Sequence, residues 1–150
     1  MPSPQRIDAF VAMVESGSHV EAIEDFYHPE ATMQENLNPP RVGRMLLIEH
    51  ERKALAGMKE IRSRKVGPVL VDGDQVMINW VFDSTDLKGR SRTIDEIACQ
   101  TWQGERILRE RFYYAPAKLQ VKPDADAGGG VRPPRVPHHV SPRAPGATET

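Results

Sequence analysis

The stretch that most constrains the fold is Arg90–Tyr114, RSRTIDEIACQTWQGERILRERFYY. β-Branched and aromatic residues recur from Ile94 to Trp102 and from Ile107 to Tyr114, and no proline interrupts either run. These runs predict two long strands joined by a tight turn at Gln103-Gly104-Glu105, where Gly104 supplies the positive backbone angle of a short hairpin. Alternation splits the first strand into Ile94, Glu96, Ala98, Gln100, Trp102 on one side and Thr93, Asp95, Ile97, Cys99, Thr101 on the other. Neither set is a clean apolar stripe. That mixture is expected where one face lines a polar cavity and the other meets a partner.

Elsewhere the chain offers helices before strands. Ile7, Phe10, Val11 and Val14 follow the i, i+3, i+4, i+7 spacing of an amphipathic helix over Pro4 to Glu15, closed by Ser16-Gly17. Ser18 with Glu21 reads as a capping box that opens a second helix, running to about Tyr27 and stopped by Pro29. Ala31 to Asn36 is a short strand, followed by the rigid Leu37-Asn38-Pro39-Pro40 loop. A third helix is predicted over about Arg44 to Ile61, burying Leu47, Ile48, Leu55, Met58 and Ile61, with Glu51, Arg52 and Lys53 solvated. Strands at Arg62 to Val71 and Gln75 to Ser84 flank an Asp72-Gly73-Asp74 turn, and Lys88-Gly89 leads into the hairpin. Helices followed by a run of antiparallel strands define an α+β class.

The chain has 150 residues, 39% of them hydrophobic, which fits one ordinary domain. A net charge of −1 gives no electrostatic footprint for nucleic acid. No apolar run reaches the length of a bilayer span, and the N-terminal MPSPQRIDAF lacks the apolar centre of a signal peptide. A cytoplasmic protein is the expectation. Cys99 is the single cysteine, so neither an internal disulfide nor a thiolate metal cluster can form, and it reads as a small packed residue rather than a nucleophile. Residues 1–116 therefore form the expected domain. Residues 117–150, rich in Pro, Gly and Ala, read as a disordered tail, since they bury too little apolar surface to offset their ordering entropy. His138-His139 within it makes a poor metal site.

Three segments carry a family resemblance: AIEDFYHPEATMQEN, the Pro-Pro loop leading into RVGR, and WQGERILRERFYY. With them the chain resembles, over roughly residues 5 to 116, the nuclear-transport-factor-two-like superfamily. That group includes SnoaL-like polyketide cyclases, ketosteroid isomerases and limonene epoxide hydrolases. The resemblance implies a cone-shaped, curved antiparallel sheet wrapped around three N-terminal helices, with a pocket at the open end and homodimers formed through the outer sheet face. It fixes no reaction, because one scaffold hosts unrelated chemistries. Glu35 falls where a ketosteroid isomerase places its base, whereas Phe10 and Ala98 stand where that enzyme has its oxyanion donors. Glu96, on the same strand face, is the nearest substitute. At the epoxide hydrolase positions stand Met33, Glu35, Asn79, Val81 and Phe112, which lack the protonating acid.

If Glu35 points inward, matched alternation selects Asn79, Val81 and Asp83, then Glu96, Ala98, Gln100 and Trp102, then Glu110, Phe112 and Tyr114 as the pocket wall. The opposite face would carry Ile78, Trp80, Phe82, Ile97, Cys99 and Ile107 as a dimer patch. Carboxylates sharing a dry cavity cannot all ionise, and a raised carboxyl suits general acid/base work near neutral pH. The expected machinery is Glu35 as base with Glu96 or Tyr114 as acid or oxyanion donor. No metal and no cofactor is required. Asn79, Asp83, Ala98, Gln100, Trp102, Glu110, Phe112 and Tyr114 would contact a hydrophobic carbonyl ligand. The plainer alternatives are that Glu96 and Glu110 pair with Arg92, Arg109 or Arg111, that Glu35 is a solvated strand-end acid, and that the chain only binds or dimerises. His19 and His50 are expected on exposed helix surface.

Overall fold

A computed structural model describes residues 1–115 and 120–121. Three helices, α1 (Pro4–Glu15), α2 (His19–Phe26) and α3 (Arg44–Ala56), pack on a sheet built from β1 (Tyr27–Glu35), β2 (Arg41–Val42), β3 (Met58–Asp72), β4 (Gln75–Asp86), β5 (Arg90–Gln103) and β6 (Arg106–Tyr113). The strand order is β2-β1-β6-β5-β4-β3, and β7 (Gln120–Val121) adds to β5. The sheet is curved and unclosed. The α+β cone is therefore observed, with one difference from an all-antiparallel sheet: β1 runs parallel to β6, from Thr32 opposite Arg109 to Glu35 opposite Phe112. The remaining pairs are antiparallel.

Local chemistry explains the element ends. Ser3 caps α1 by accepting from the Arg6 amide at 3.2 Å, and Pro4 occupies the first helical position, where its missing N–H costs nothing. Gly17, at φ 86°, turns the chain between α1 and α2. The capping box at Ser18 does not form; its hydroxyl instead accepts from Ser16. Pro29 does not end a helix but sits within β1, which starts at Tyr27. Helix α3 stops at Ala56, earlier than its apolar spacing implies, and Met58 and Ile61 belong to β3. The β5–β6 turn is as expected, with Gly104 at φ 58°. The boundary at 116 and the tail at 117–150 lie outside the described residues, apart from the two residues of β7.

The core lies between α1, α2 and the inner sheet face. Phe10 stands at its centre, with ring centroids 5.4 Å from Phe26, 6.5 Å from Trp80 and 6.1 Å from Trp102. Ile78, Trp80, Trp102 and Ile107 are fully buried. Burying each such side chain contributes roughly 1.5–3 kcal/mol. This corrects the expected alternation of β4: Ile78, Trp80 and Phe82 face inward, and Asn79 and Asp83 face out. Three apolar side chains on one face had to meet the helices, because that is where the most surface leaves water. Ile107 also turns inward rather than outward. A register shift between Thr101 and Trp102 puts Ile107 and Glu110, three residues apart, on the same side of β6.

Candidate functional site

The strand register orders the inner face into rows. Ile61, Ser84 and Arg92 form one row across β3, β4 and β5; Ser63, Phe82 and Ile94 the next; Lys65, Trp80 and Glu96 the third. Then come Ile78, Ala98, Phe112 and Glu35, and beyond them Val76, Gln100, Glu110 and Met33. Against the middle rows opens a cavity of about 360 Å³. Its walls are mainly apolar and aromatic, with Trp80 and Phe82 stacked at 5.9 Å. Into it face four carboxyl side chains from four elements: Glu35 of β1, Glu51 of α3, Glu96 of β5 and Glu110 of β6.

The four acids have different surroundings. Glu35 is ion-paired with Arg41, Nη2 to Oε2 at 2.9 Å, and its Oε1 accepts from the Tyr114 hydroxyl at 3.3 Å. The tight turn after β1, where Asn36 takes a positive φ of 50°, and the short β2 strand bring Arg41 back alongside it. Glu110 is buried and fully engaged. Tyr27 donates to Oε1, Gln100 Nε2 donates to Oε2 at 2.5 Å, and Trp102 Nε1 donates to Gln100 Oε1 at 3.0 Å. Burial pushes the Glu110 carboxyl up to about 7, while the bonds from Gln100 and Tyr27 hold it down. Tyr27 in turn is driven well above its ordinary range by burial and by Glu110.

Glu96 has no such support. It is 8% exposed, and among the described residues no group donates to its carboxyl. Among the described residues every fully enclosed polar side-chain atom has a partner, so the Glu96 oxygens open on the cavity. Burial, then the charges of Glu110, Glu35 and Glu51, raise its carboxyl to about 8. Glu51 meets His19, Oε1 to Nδ1 at 3.3 Å.

Of the residues singled out from sequence, Glu35, Glu96, Glu110 and Phe112 line the cavity. Ala98, Gln100 and Trp102 share the inner face but lie in the packed core beyond it, where Gln100 and Trp102 carry the bonds to Glu110. Tyr114 touches the site through Glu35, and burial and that carboxylate raise its hydroxyl. Asn79 and Asp83 are not in the cavity. Asn79 bonds Asp95 at 2.7 Å and Asp83 accepts from Thr93 at 2.5 Å, both on the outer face. Arg92 lines the cavity but forms no ion pair with Glu96 or Glu110. His19, His50 and Glu51, expected on solvated helix surface, line the cavity too. The charged content of α2 and α3 hid this, because an inward glutamate looks like an outward one until its neighbours are known. Arg41 was visible only as part of RVGR.

Among the described residues, no cluster of three or more His, Cys, Asp or Glu has metal-holding geometry. No described helix is long and apolar enough to cross a membrane.

Several solved structures share this fold. A protein named as a SnoaL-like polyketide cyclase from Mesorhizobium loti superposes with a TM-score of 0.64 at 23% identity, over 76% of this chain and 100% of that one. TerC, co-crystallised with polyporic acid, gives 0.62 at 18% identity over 74% and 89%. A protein of ketosteroid isomerase-like fold from Catenulispora acidiphila, in complex with trimethylamine, gives 0.63 at 18% over 75% and 87%. No curated protein matches in sequence. The profile of the SnoaL-like domain matches residues 7–110. The fold shared with these structures agrees with that match, which covers most of the chain, and the chain belongs to the SnoaL-like domain family.

Proposed function

We propose that this protein moves protons on a hydrophobic carbonyl compound without a cofactor, as an isomerase or a cyclase. One observation carries the reading: two acids of opposite character, ion-paired Glu35 and unpartnered Glu96, face one apolar cavity. Burial raises the Glu96 carboxyl, which suits it to the acid role, while Glu35 is charge-paired with Arg41. Glu35, held by Arg41 and Tyr114, takes a proton from the carbon beside the carbonyl. Glu96, protonated at neutral pH, donates to the carbonyl oxygen as negative charge develops there. Trp80 and Phe82 supply a flat wall for a planar substrate.

The experiment is deuterium exchange at the α-carbons of 2-tetralone, followed by NMR. Wild-type protein accelerates exchange, and the rate falls as pH rises through about 8, where Glu96 loses its proton. Glu35→Gln lowers the rate about 10²–10⁴-fold. Glu96→Gln keeps an amide donor and loses less than Glu96→Ala. Exchange at the wild-type rate in Glu35→Gln would remove the proposal.

One feature favours a binding-only reading. An unpartnered carboxyl beside stacked aromatic rings suits an organic ammonium ion. The structural neighbour in complex with trimethylamine lends it support. Quenching of tryptophan fluorescence by trimethylammonium, lost in Glu96→Gln, with no exchange of 2-tetralone at any pH, would select it.

The same proposal includes a homodimer. Met77, Ile97 and Tyr113 are exposed on the outer sheet face, and the register joins Met77 to Cys99 and Ile97 to Tyr113. A second copy covers this patch. Light scattering of wild type against Ile97→Lys tests it, and a wild-type monomer at all concentrations ends it. The cytoplasm is the proposed location, checked by cell fractionation.

A further inference from the structure

On the β3 side of the same cavity, His19 of α2 and Glu51 of α3 line the wall, and Ser63 of β3 lies buried beside them. Ser63 of β3, His19 of α2 and Glu51 of α3 form a chain of contacts. Ser63 Oγ lies 2.7 Å from His19 Nε2, and His19 Nδ1 lies 3.3 Å from Glu51 Oε1. Each residue comes from a different element, 44 and 32 positions apart from His19. Three independent backbones thus hold the line. The Phe82 ring packs against the imidazole at 5.8 Å and limits its rotation. His19 and Glu51 line the cavity, and Ser63 is buried beside them at 8% exposure.

Glu51 approaches His19 Nδ1 as an ion-pair contact, and in the tautomer with the proton on Nδ1 the free Nε2 accepts from the Ser63 hydroxyl. This is the arrangement that activates a serine: a base within hydrogen-bond reach, itself oriented by an acid. A serine satisfying a buried histidine for packing alone needs no carboxylate on the far nitrogen. Ser84 is the diagonal neighbour of Ser63 across the β3–β4 pair. Ser84 and Arg92, row partners, both line the cavity and supply donors on that side.

We propose that Ser63 is a nucleophile for acyl transfer from a small apolar ester. Ser63 Oγ bonds to the carbonyl carbon as its proton passes to His19 Nε2. The carbon–oxygen bond of the ester breaks, and the departing alkoxide takes that proton. Water, deprotonated by His19, then bonds to the acyl carbon; the bond to Ser63 Oγ breaks, Oγ takes the proton back from His19, and the acyl group leaves as a carboxylic acid. No oxidant, metal or cofactor enters the balance.

The test uses the full chain with p-nitrophenyl acetate, chosen small because the serine is enclosed. A burst of p-nitrophenolate, with one acetyl group per chain located by mass spectrometry on Ser63, is the expected result. Ser63→Ala and His19→Ala abolish the burst, and Glu51→Gln slows it at least 10-fold. Acetylation is read on Ser63 by mass spectrometry and proton transfer by α-carbon exchange of 2-tetralone, so failure of the proton-transfer proposal and failure of this one are separable. Circular dichroism confirms that each variant is folded; Ser63→Gly, which also lacks the hydroxyl, replaces Ser63→Ala if the latter is not. Absence of acetylation in wild type, or acetylation that persists in the Ser63 variant, overturns the proposal.

Discussion

Replacing Glu96 by glutamine should stabilise the protein, and do so only at high pH. The carboxyl is raised from an ordinary 4.5 to about 8. Below pH 4.5 it is protonated in both folded and unfolded chains and contributes no difference. Above 4.5 the unfolded chain releases the proton while the folded chain still holds it, so folding is progressively penalised. The penalty is complete above about 8, where both forms are ionised. At about 1.4 kcal/mol per pH unit, the interval from 4.5 to 8 corresponds to roughly 5 kcal/mol. That figure is a ceiling, because Glu110 and Glu35 contribute to it and respond in turn. A neutral glutamine removes the penalty. Urea unfolding of wild type and Glu96→Gln at pH 5, 7 and 9 measures it. The gain of the variant should be no more than about 1 kcal/mol at pH 5 and reach about 3–5 kcal/mol at pH 9. A gain independent of pH, or a variant less stable than wild type at pH 9, would refute a desolvated, unpartnered carboxyl.

The other acids behave differently. Gln100→Leu strips a donor from buried Glu110, costs about 1–3 kcal/mol in urea unfolding, and moves the Glu110 titration, followed by carbonyl NMR, further up from about 7. Tyr27→Phe moves that titration the same way, since its hydroxyl also favours the ionised form. Arg41→Ala breaks a half-exposed pair and lowers stability by no more than about 1 kcal/mol in a thermal melt. Gly104→Ala forces a side chain into φ 58° at the hairpin turn and costs roughly 1–2 kcal/mol.

What could be read from residues alone divides by the range of the cause. Helix α1 and the β5–β6 hairpin follow from spacing and a turn glycine, both local, and they match. Glu35, Glu96, Glu110 and Phe112 could be placed in one cavity because they lie on strands whose pairing the hairpin and the resemblance constrain. Asn79 and Asp83 went to the wrong face because β4 was phased from matched family positions rather than from Ile78, Trp80 and Phe82, its most apolar set. The register shift beside Trp102 leaves no mark in composition, so Ile107 could not be assigned. The Arg41 pair and the Ser63–His19–Glu51 line depend on tertiary packing between residues far apart in the chain, which no spacing rule encodes.

The parallel seam between β1 and β6 has a consequence for synthesis. Residues 32–35 acquire their main neighbours only from residues 109–112, almost eighty positions later. A ribosome must therefore deliver nearly the whole domain before Glu35 meets the hollow it serves. A chain cut short ahead of residue 106 would own every helix and most of the sheet, yet leave β1 as a bare edge and the chamber without one wall.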